Sequence, residues 1–292
     1  MRVPGIPELL KEHARTFALT LRLLPRDLRE PLEIAYLLAR ISDTVADSGV
    51  MERAQRIGIL EGLKQIQQAG KADAWKPTMP KESFTLLENE LLAALPQLLK
   101  LLDQLPDREE ILALWGNIIE GQLFDLRWFA QGDESLPRAE LERYCYLVAG
   151  SVGESWTRLI GRHAPEVLTE DLSVMIPLGC SYGKGLQLVN ILRDRADDRA
   201  IGRRYFRKEE EGELYYQAKC WLADGNRFLS RLRPGRILYA TALPYELALP
   251  TIRAIRSAGE SGRAKIFRSD VFRILATGLP SLWLPRRGNR AS

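Results

Sequence analysis

The stretch that most limits what this chain can fold into is Ala35 to Asp47, AYLLARISDTVAD. Tyr36, Arg40, Asp43 and Asp47 recur at helical spacing, so a ring, a cation and two carboxylates share one stripe. Leu37, Leu38, Ile41 and Val45 cover the other sides, and a helix apolar on more than one side is a buried one. Two carboxylates one turn apart in such a helix are costly unless positive charge lies between them, and a divalent cation supplies it. The segment QLVNILRDRADDRAIGRR repeats the pattern: Gln187, Asn190, Asp194 and Asp198 line up at helical spacing, flanked by Arg193 and Asp197. Two such stripes predict acidic half-sites that face each other across one cavity and present cations to a diphosphate. Mg2+ suits this best, because it binds through a few carboxylates plus phosphate oxygens and keeps some of its water.

The remaining chain reads as helix. Alternating β patterns and fixed-period repeats are absent, so the fold class is all-α. With 292 residues and no long linker, the expectation is a single helical bundle around a central cavity over residues 1–278, followed by a basic, Pro-containing tail over 279–292. The first helix starts near Pro7, carries His13, Arg15 and Thr16, and ends at Pro25. A kink or turn is expected at Pro96, and interruptions of the 237–258 stretch at Pro244 and Pro250. Ala149, Gly150, Ser151 and Gly153 are small residues inside a strong helical pattern, where glycine is unfavourable. They signal close approach by a neighbouring helix or by an elongated apolar ligand, and the sequence leaves both open.

Composition narrows the class. Hydrophobic residues at 46% and charged residues at 27% describe an ordinary soluble globular protein. The net charge of +4 is uneven: seven Arg or Lys against Asp270 alone between Gly262 and Ser292 give that segment +6. Such an end suits anionic lipid headgroups or substrate phosphates, whereas nucleic acid is not expected, since no binding motif accompanies it. Cys145, Cys180 and Cys220 form no CxxC pair and read as small buried residues in a reducing cytoplasm. No signal peptide and no membrane span are expected.

Cations held by the two stripes, with Arg40, Arg193 and Arg203 as permanently charged donors, would stabilise negative charge on a departing diphosphate. A carbocation would remain, protected from water by apolar walls and steadied by aromatic faces. This points to prenyl-diphosphate chemistry.

At these residues the chain resembles the squalene and phytoene synthase family, over about residues 9 to 277. DTVAD at 43–47 and NILRDRADD at 190–198 are similar to its two Asp-rich signatures. YCYLVAG at 144–150 and HARTF at 13–17 are similar to two further blocks. The resemblance implies an isoprenoid-synthase-like fold with Asp43, Asp47, Asn190, Asp194 and Asp198 as the Mg2+ set and Gln187 beside the diphosphates. It implies diphosphate contacts from His13, Arg15, Thr16, Tyr36, Arg40, Arg193 and Arg203, and a Tyr144 that assists ionisation or proton transfer. Tyr245 would reach the substrate. Ala14 departs from the family, which commonly has Ser there. ALPYELALPTI at 242–252 is closer to squalene-type members. The implied reaction condenses two farnesyl diphosphates to presqualene diphosphate and then squalene, with NADPH as candidate hydride donor although no GxGxxG is present. A reductant-free phytoene or dehydrosqualene synthase and a non-catalytic assembly partner are the alternatives. A monomer is expected, cytoplasmic and with peripheral contact at the inner membrane.

Overall fold

The computed structural model describes residues 5–13, 20–70, 81–130, 132 and 134–257. Arg15 and Thr16, with Ala14 and Phe17, lie outside the described residues. So do residues 71–80 and the basic 258–292 end, including the tail. Among the described residues every regular element is helical, and the β-type pairing is one isolated antiparallel bridge between Leu168 and Leu232. The all-α expectation holds. The chain divides into two compact units, Met1–Gly132 and Asp133–Ser292.

The first unit contains α1 (Ile6–His13), α2 (Arg26–Ala46), α3 (Arg53–Ala69), α4 (Leu86–Ala93), α5 (Leu95–Leu102) and α6 (Arg108–Trp128). Pro25 precedes α2, and Arg26–Glu30 and Arg29–Glu33 pair along its exposed first turns, each contributing a few tenths of a kcal/mol at most. Its stability comes instead from Leu37, Leu38, Ile41 and Val45, all fully buried, at about 2 kcal/mol for each such side chain. Both α2 and α3 pack on α6, which buries Trp115, Ile119 and Leu123. Pro96 marks a turn and not a kink: α4 opens on a Thr85–Glu88 capping box and stops at Ala93, and Pro96 occupies the first turn of α5, where no amide hydrogen is required.

The second unit contains α7 (Arg138–Cys145), a π-helical turn (Tyr146–Gly150), α8 (Ser151–His163), α9 (Leu172–Ala200), α10 (Glu211–Ser230) and α11 (Arg236–Ser257). Helix α9 packs against α8, α10 and α11. The small residues of the 149–153 cluster serve this packing. A β-carbon on Gly153 would collide with the Gly179 carbonyl, and one on Gly183 with the Ala149 carbonyl. A neighbouring helix therefore fills the space that the sequence left open to a ligand. The expected breaks at Pro244 and Pro250 do not occur, and α11 runs unbroken through both. Each proline removes one backbone bond, but Ile237, Leu238, Ala242, Leu243, Ala248, Ile252 and Ile255 are buried along the same helix and outweigh that loss.

Candidate active site

Helix α2 places the first acidic pair. Leu37, Leu38, Ile41 and Val45 turn into the core, which leaves Tyr36, Arg40 and Asp43 on the partly exposed remaining face. Asp47 is the C-cap, exposed, its backbone N–H donating to the Asp43 carbonyl. That end of a helix carries partial negative charge, and Arg56 of α3 donates to its Ala46 carbonyl at 2.8 Å. The Asp43 carboxyl is pushed up from 3.8 to about 6, first by burial and then by Asp47, against the opposing pull of Arg40 and a hydrogen bond from Gln122. Such a shift marks a carboxyl withdrawn from water beside a like charge.

His13, from the end of α1, joins the same place: Tyr36 Oη donates to the His13 carbonyl at 2.8 Å. Burial and the charge of Arg40 both lower the His13 pKa. Its imidazole is thus more readily neutral than a surface histidine, and it can donate one hydrogen bond without adding a charge. The Nε of Arg40 and the Oε1 of Gln122 are buried and without a hydrogen-bond partner.

Helix α9 places the second pair. Leu188, Val189, Ile191 and Leu192 are buried, whereas Gln187, Asn190, Arg193, Asp194 and Asp198 are only partly covered. Here the charge is already compensated. The Arg193 guanidinium forks onto both carboxylate oxygens of Asp194, with Nε to Oδ1 at 2.7 Å, and this pairing raises the Arg193 pKa further. Arg195 is turned inward, 6% exposed, donating to the Leu192 carbonyl and approaching Glu211 at 3.6 Å. Arg203 caps the end of the helix through its backbone N–H, 2.8 Å from the Asp198 carbonyl.

Tyr144, on α7, stacks on Tyr205 with ring centroids 5.2 Å apart and hydroxyls 3.3 Å apart. Helix α7 packs against α9. Tyr245 lies edge-on to Tyr182 at 6.2 Å, against the core cluster of Met175, Phe228 and Leu238. Burial raises Cys145 to about 12 and Cys180 to about 11, which disfavours thiolate ligands; Cys145 is buried as expected, whereas Cys180 and Cys220 are only partly buried.

The structure thus groups His13, Tyr36, Arg40 and Asp43, with Asp47 one turn on, and separately groups Arg193 with Asp194 on the stripe of Gln187, Asn190 and Asp198. Gln122 and Tyr205 are the residues that sequence reasoning missed. A lone amide inside the apolar run IIEGQLFDL was the available signal for the first; nothing in RRYF distinguished the second. Among the described residues no three His, Cys, Asp or Glu side chains converge on one metal position. Each stripe offers two carboxylates, a number suited to Mg2+ when phosphate oxygens and water complete its shell. The raised Asp43 and the unpartnered Gln122 oxygen fit a hard dication at the first pair.

The family model for squalene/phytoene synthase matches residues 10–210. Squalene synthase of Eremothecium gossypii is 28% identical over 209 residues, covering 69% of this chain and 45% of that protein. Squalene synthase of Rattus norvegicus is 24% identical over 302 residues, covering 94% and 69%. The chain spans less than half the length of several fungal relatives it matches. In three dimensions it is similar to TcSQS bound to the ligand BPH1237, with a TM-score of 0.74 and 17% identity over 98% of this chain and 92% of that one. A dehydrosqualene synthase in complex with a ligand gives a TM-score of 0.65 at 19% identity, over 95% of each chain. These structural likenesses establish the fold, and the family model, spanning more than two thirds of the sequence, establishes the lineage: the chain belongs to the squalene/phytoene synthase family.

Proposed function

We propose that this protein is a transferase that joins two farnesyl diphosphates head to head, giving presqualene diphosphate and, with hydride from NADPH, squalene. Residues 1–278 act as its catalytic domain. The observation that carries this reading is the Asp43–Asp47 pair: two carboxylates at the negative end of a helix, one of them raised to about 6, in a chain whose other acidic stripe lies within the same family match.

Asp43 and Asp47, with Asn190, Asp194 and Asp198, are the residues that would hold Mg2+, which when bound would supply positive charge to the diphosphate oxygens. Arg40, whose buried Nε lacks a partner, donates to those oxygens, together with Tyr36 and a neutral His13. Arg15 and Thr16 are assigned to the same task by sequence. Arg193 leaves Asp194 for the incoming diphosphate, a better acceptor for a guanidinium fork, and Arg203 and Gln187 stand beside it. The bonding electrons leave with the diphosphate. The cation left at the first carbon is captured by the double bond of the second chain, and loss of a proton closes the cyclopropane. The Tyr144–Tyr205 stack offers a ring face to that cation and a hydroxyl to that proton. Tyr245 lines the path of the prenyl tail. The product is apolar, and the basic 262–292 end favours peripheral contact with anionic lipid by a monomer. Among the described residues no helix is long and apolar enough to cross a membrane.

The test is incubation of the purified full chain with farnesyl diphosphate and Mg2+, with and without NADPH, followed by mass identification of products. Presqualene diphosphate without reductant and squalene with it are expected. A conjugated polyene formed without NADPH moves the assignment to the dehydrosqualene or phytoene type. Absence of diphosphate release in every arm overturns the reading.

A further inference from the structure

Gln122 belongs to α6, where Ile119, Leu123, Leu126 and the polar Asp125 are also buried, and is itself only 8% exposed. Its Nε2 donates to Asp43 Oδ1, while its Oε1 is buried with no partner. A buried amide satisfied at one end costs about 1–3 kcal/mol, and a leucine or methionine would fill this place without that cost. The two ends of one amide are about 2.2 Å apart, so the unpaired oxygen lies close to the same Asp43 carboxylate. One turn before Asp43 on α2, Arg40 Nε is also buried and unpartnered. One orphan accepts and the other donates. A hydrated cation carrying an anionic oxygen satisfies both, through a bound water on the Gln122 side and the anion on the Arg40 side; neither an anion alone nor an apolar ligand does so.

We infer that Gln122 is a positioning residue of the first acidic pair, fixing the Asp43 carboxylate with its amide N–H and accepting from a cation-bound water with its Oε1. The inference rests on the proposed cation role of Asp43 and adds to it a neutral oxygen from a separate helix. Gln122 also occupies one acceptor site on Asp43 Oδ1 with its N–H, leaving the remaining carboxylate lone pairs for the cation.

The experiment uses the full chain carrying Asp194→Asn, so that the second pair does not obscure the first, and measures Mn2+ binding by electron paramagnetic resonance together with melting in EDTA. Gln122→Met, which keeps the volume and removes both polar ends, is expected to weaken Mn2+ binding about 10- to 100-fold while melting in EDTA is unchanged or raised. Gln122→Glu keeps an oxygen beside Asp43 and is expected to bind Mn2+ at least as tightly as its parent. Unchanged Mn2+ affinity in Gln122→Met overturns the inference and leaves the Asp43 assignment standing. If that variant does not fold, loss of Mn2+ binding in soluble Gln122→Glu overturns it. Failure of the Asp194→Asn parent to bind Mn2+ at all, with Asp43 intact, overturns both.

Discussion

The two acidic stripes look alike in sequence and differ in how their charge is met. Around Asp43 and Asp47, Arg40 is the nearby cation in the stripe, the helix end adds its own negative potential, and Asp43 is raised to about 6. Around Asp194 and Asp198, arginines at 193 and 199 stand among the aspartates at 194, 197 and 198, while Arg195 turns inward toward Glu211. One of those arginines clasps Asp194 directly, and the Asp194 side chain is 41% exposed. The Asp43 carboxyl is thus less well compensated than that of Asp194. A shared motif fixes where carboxylates stand. It does not fix whether they attract a cation before substrate arrives.

Replacing either lead carboxylate breaks the comparison most severely. Asp43→Asn and Asp194→Asn are each expected to lower turnover of farnesyl diphosphate roughly a hundred- to a thousandfold. Their stabilities should diverge: Asp43→Asn removes a poorly compensated buried charge and melts in EDTA near neutral pH no lower than the parent, whereas Asp194→Asn breaks an ion pair. Equal melting shifts in both would erase the distinction.

The seat of the second stripe is the next test. Gly153→Leu forces a side chain into the Gly179 carbonyl and should destabilise the protein by about 1–3 kcal/mol or more, seen as a lower urea midpoint. Turnover in whatever folds should fall with it, because α9 carries Asp194.

pH provides a finer probe. Asp43 binds its proton more tightly when folded, at about 6 against an ordinary 3.8, so its stabilising contribution is full below about pH 4 and is lost as pH rises through about 6. Melting in EDTA should therefore fall across that window relative to Asp43→Asn, and saturating Mg2+ should flatten the difference. A wild-type profile parallel to the variant's in EDTA would remove the claim that Asp43 is poorly compensated.

The smallest effect is expected from Arg193→Gln. An ion pair this exposed contributes about 1 kcal/mol or less to stability, so melting should barely move. Mn2+ binding by the second pair, measured with Asp43→Asn as background, should tighten, because Asp194 is released. Unchanged binding would show that Arg193 does not hold the second stripe neutral.

Much of this was legible in the sequence because spacing carries geometry. The Tyr36–Arg40–Asp43 stripe and the buried Leu37, Leu38 and Ile41 follow from 3.6 residues per turn. The all-α class followed from the missing alternation. Gln122 was not legible, since an amide in a helix acquires meaning only from the residue opposite, 79 positions away. The Arg193 fork was hidden for another reason: adjacent residues on a helix point in different directions, and the long guanidinium stem closes the gap. Pro244 and Pro250 misled because local propensity was read without the burial that overrides it. The 149–153 cluster was ambiguous until the Gly153–Gly179 and Ala149–Gly183 approaches identified the second helix.

The π-helical turn at Tyr146–Gly150, whose bond runs from the Ser151 amide to the Tyr146 carbonyl, has its own effect on design. It inserts one more residue than an ordinary turn holds, and so sets the angular offset between Tyr144 before it and Gly153 after it. Deleting a single residue there would restore regular winding and swing Tyr144 by about 100° about the axis. A shortened chain would keep every side chain named above, yet the Tyr144 hydroxyl would no longer meet that of Tyr205.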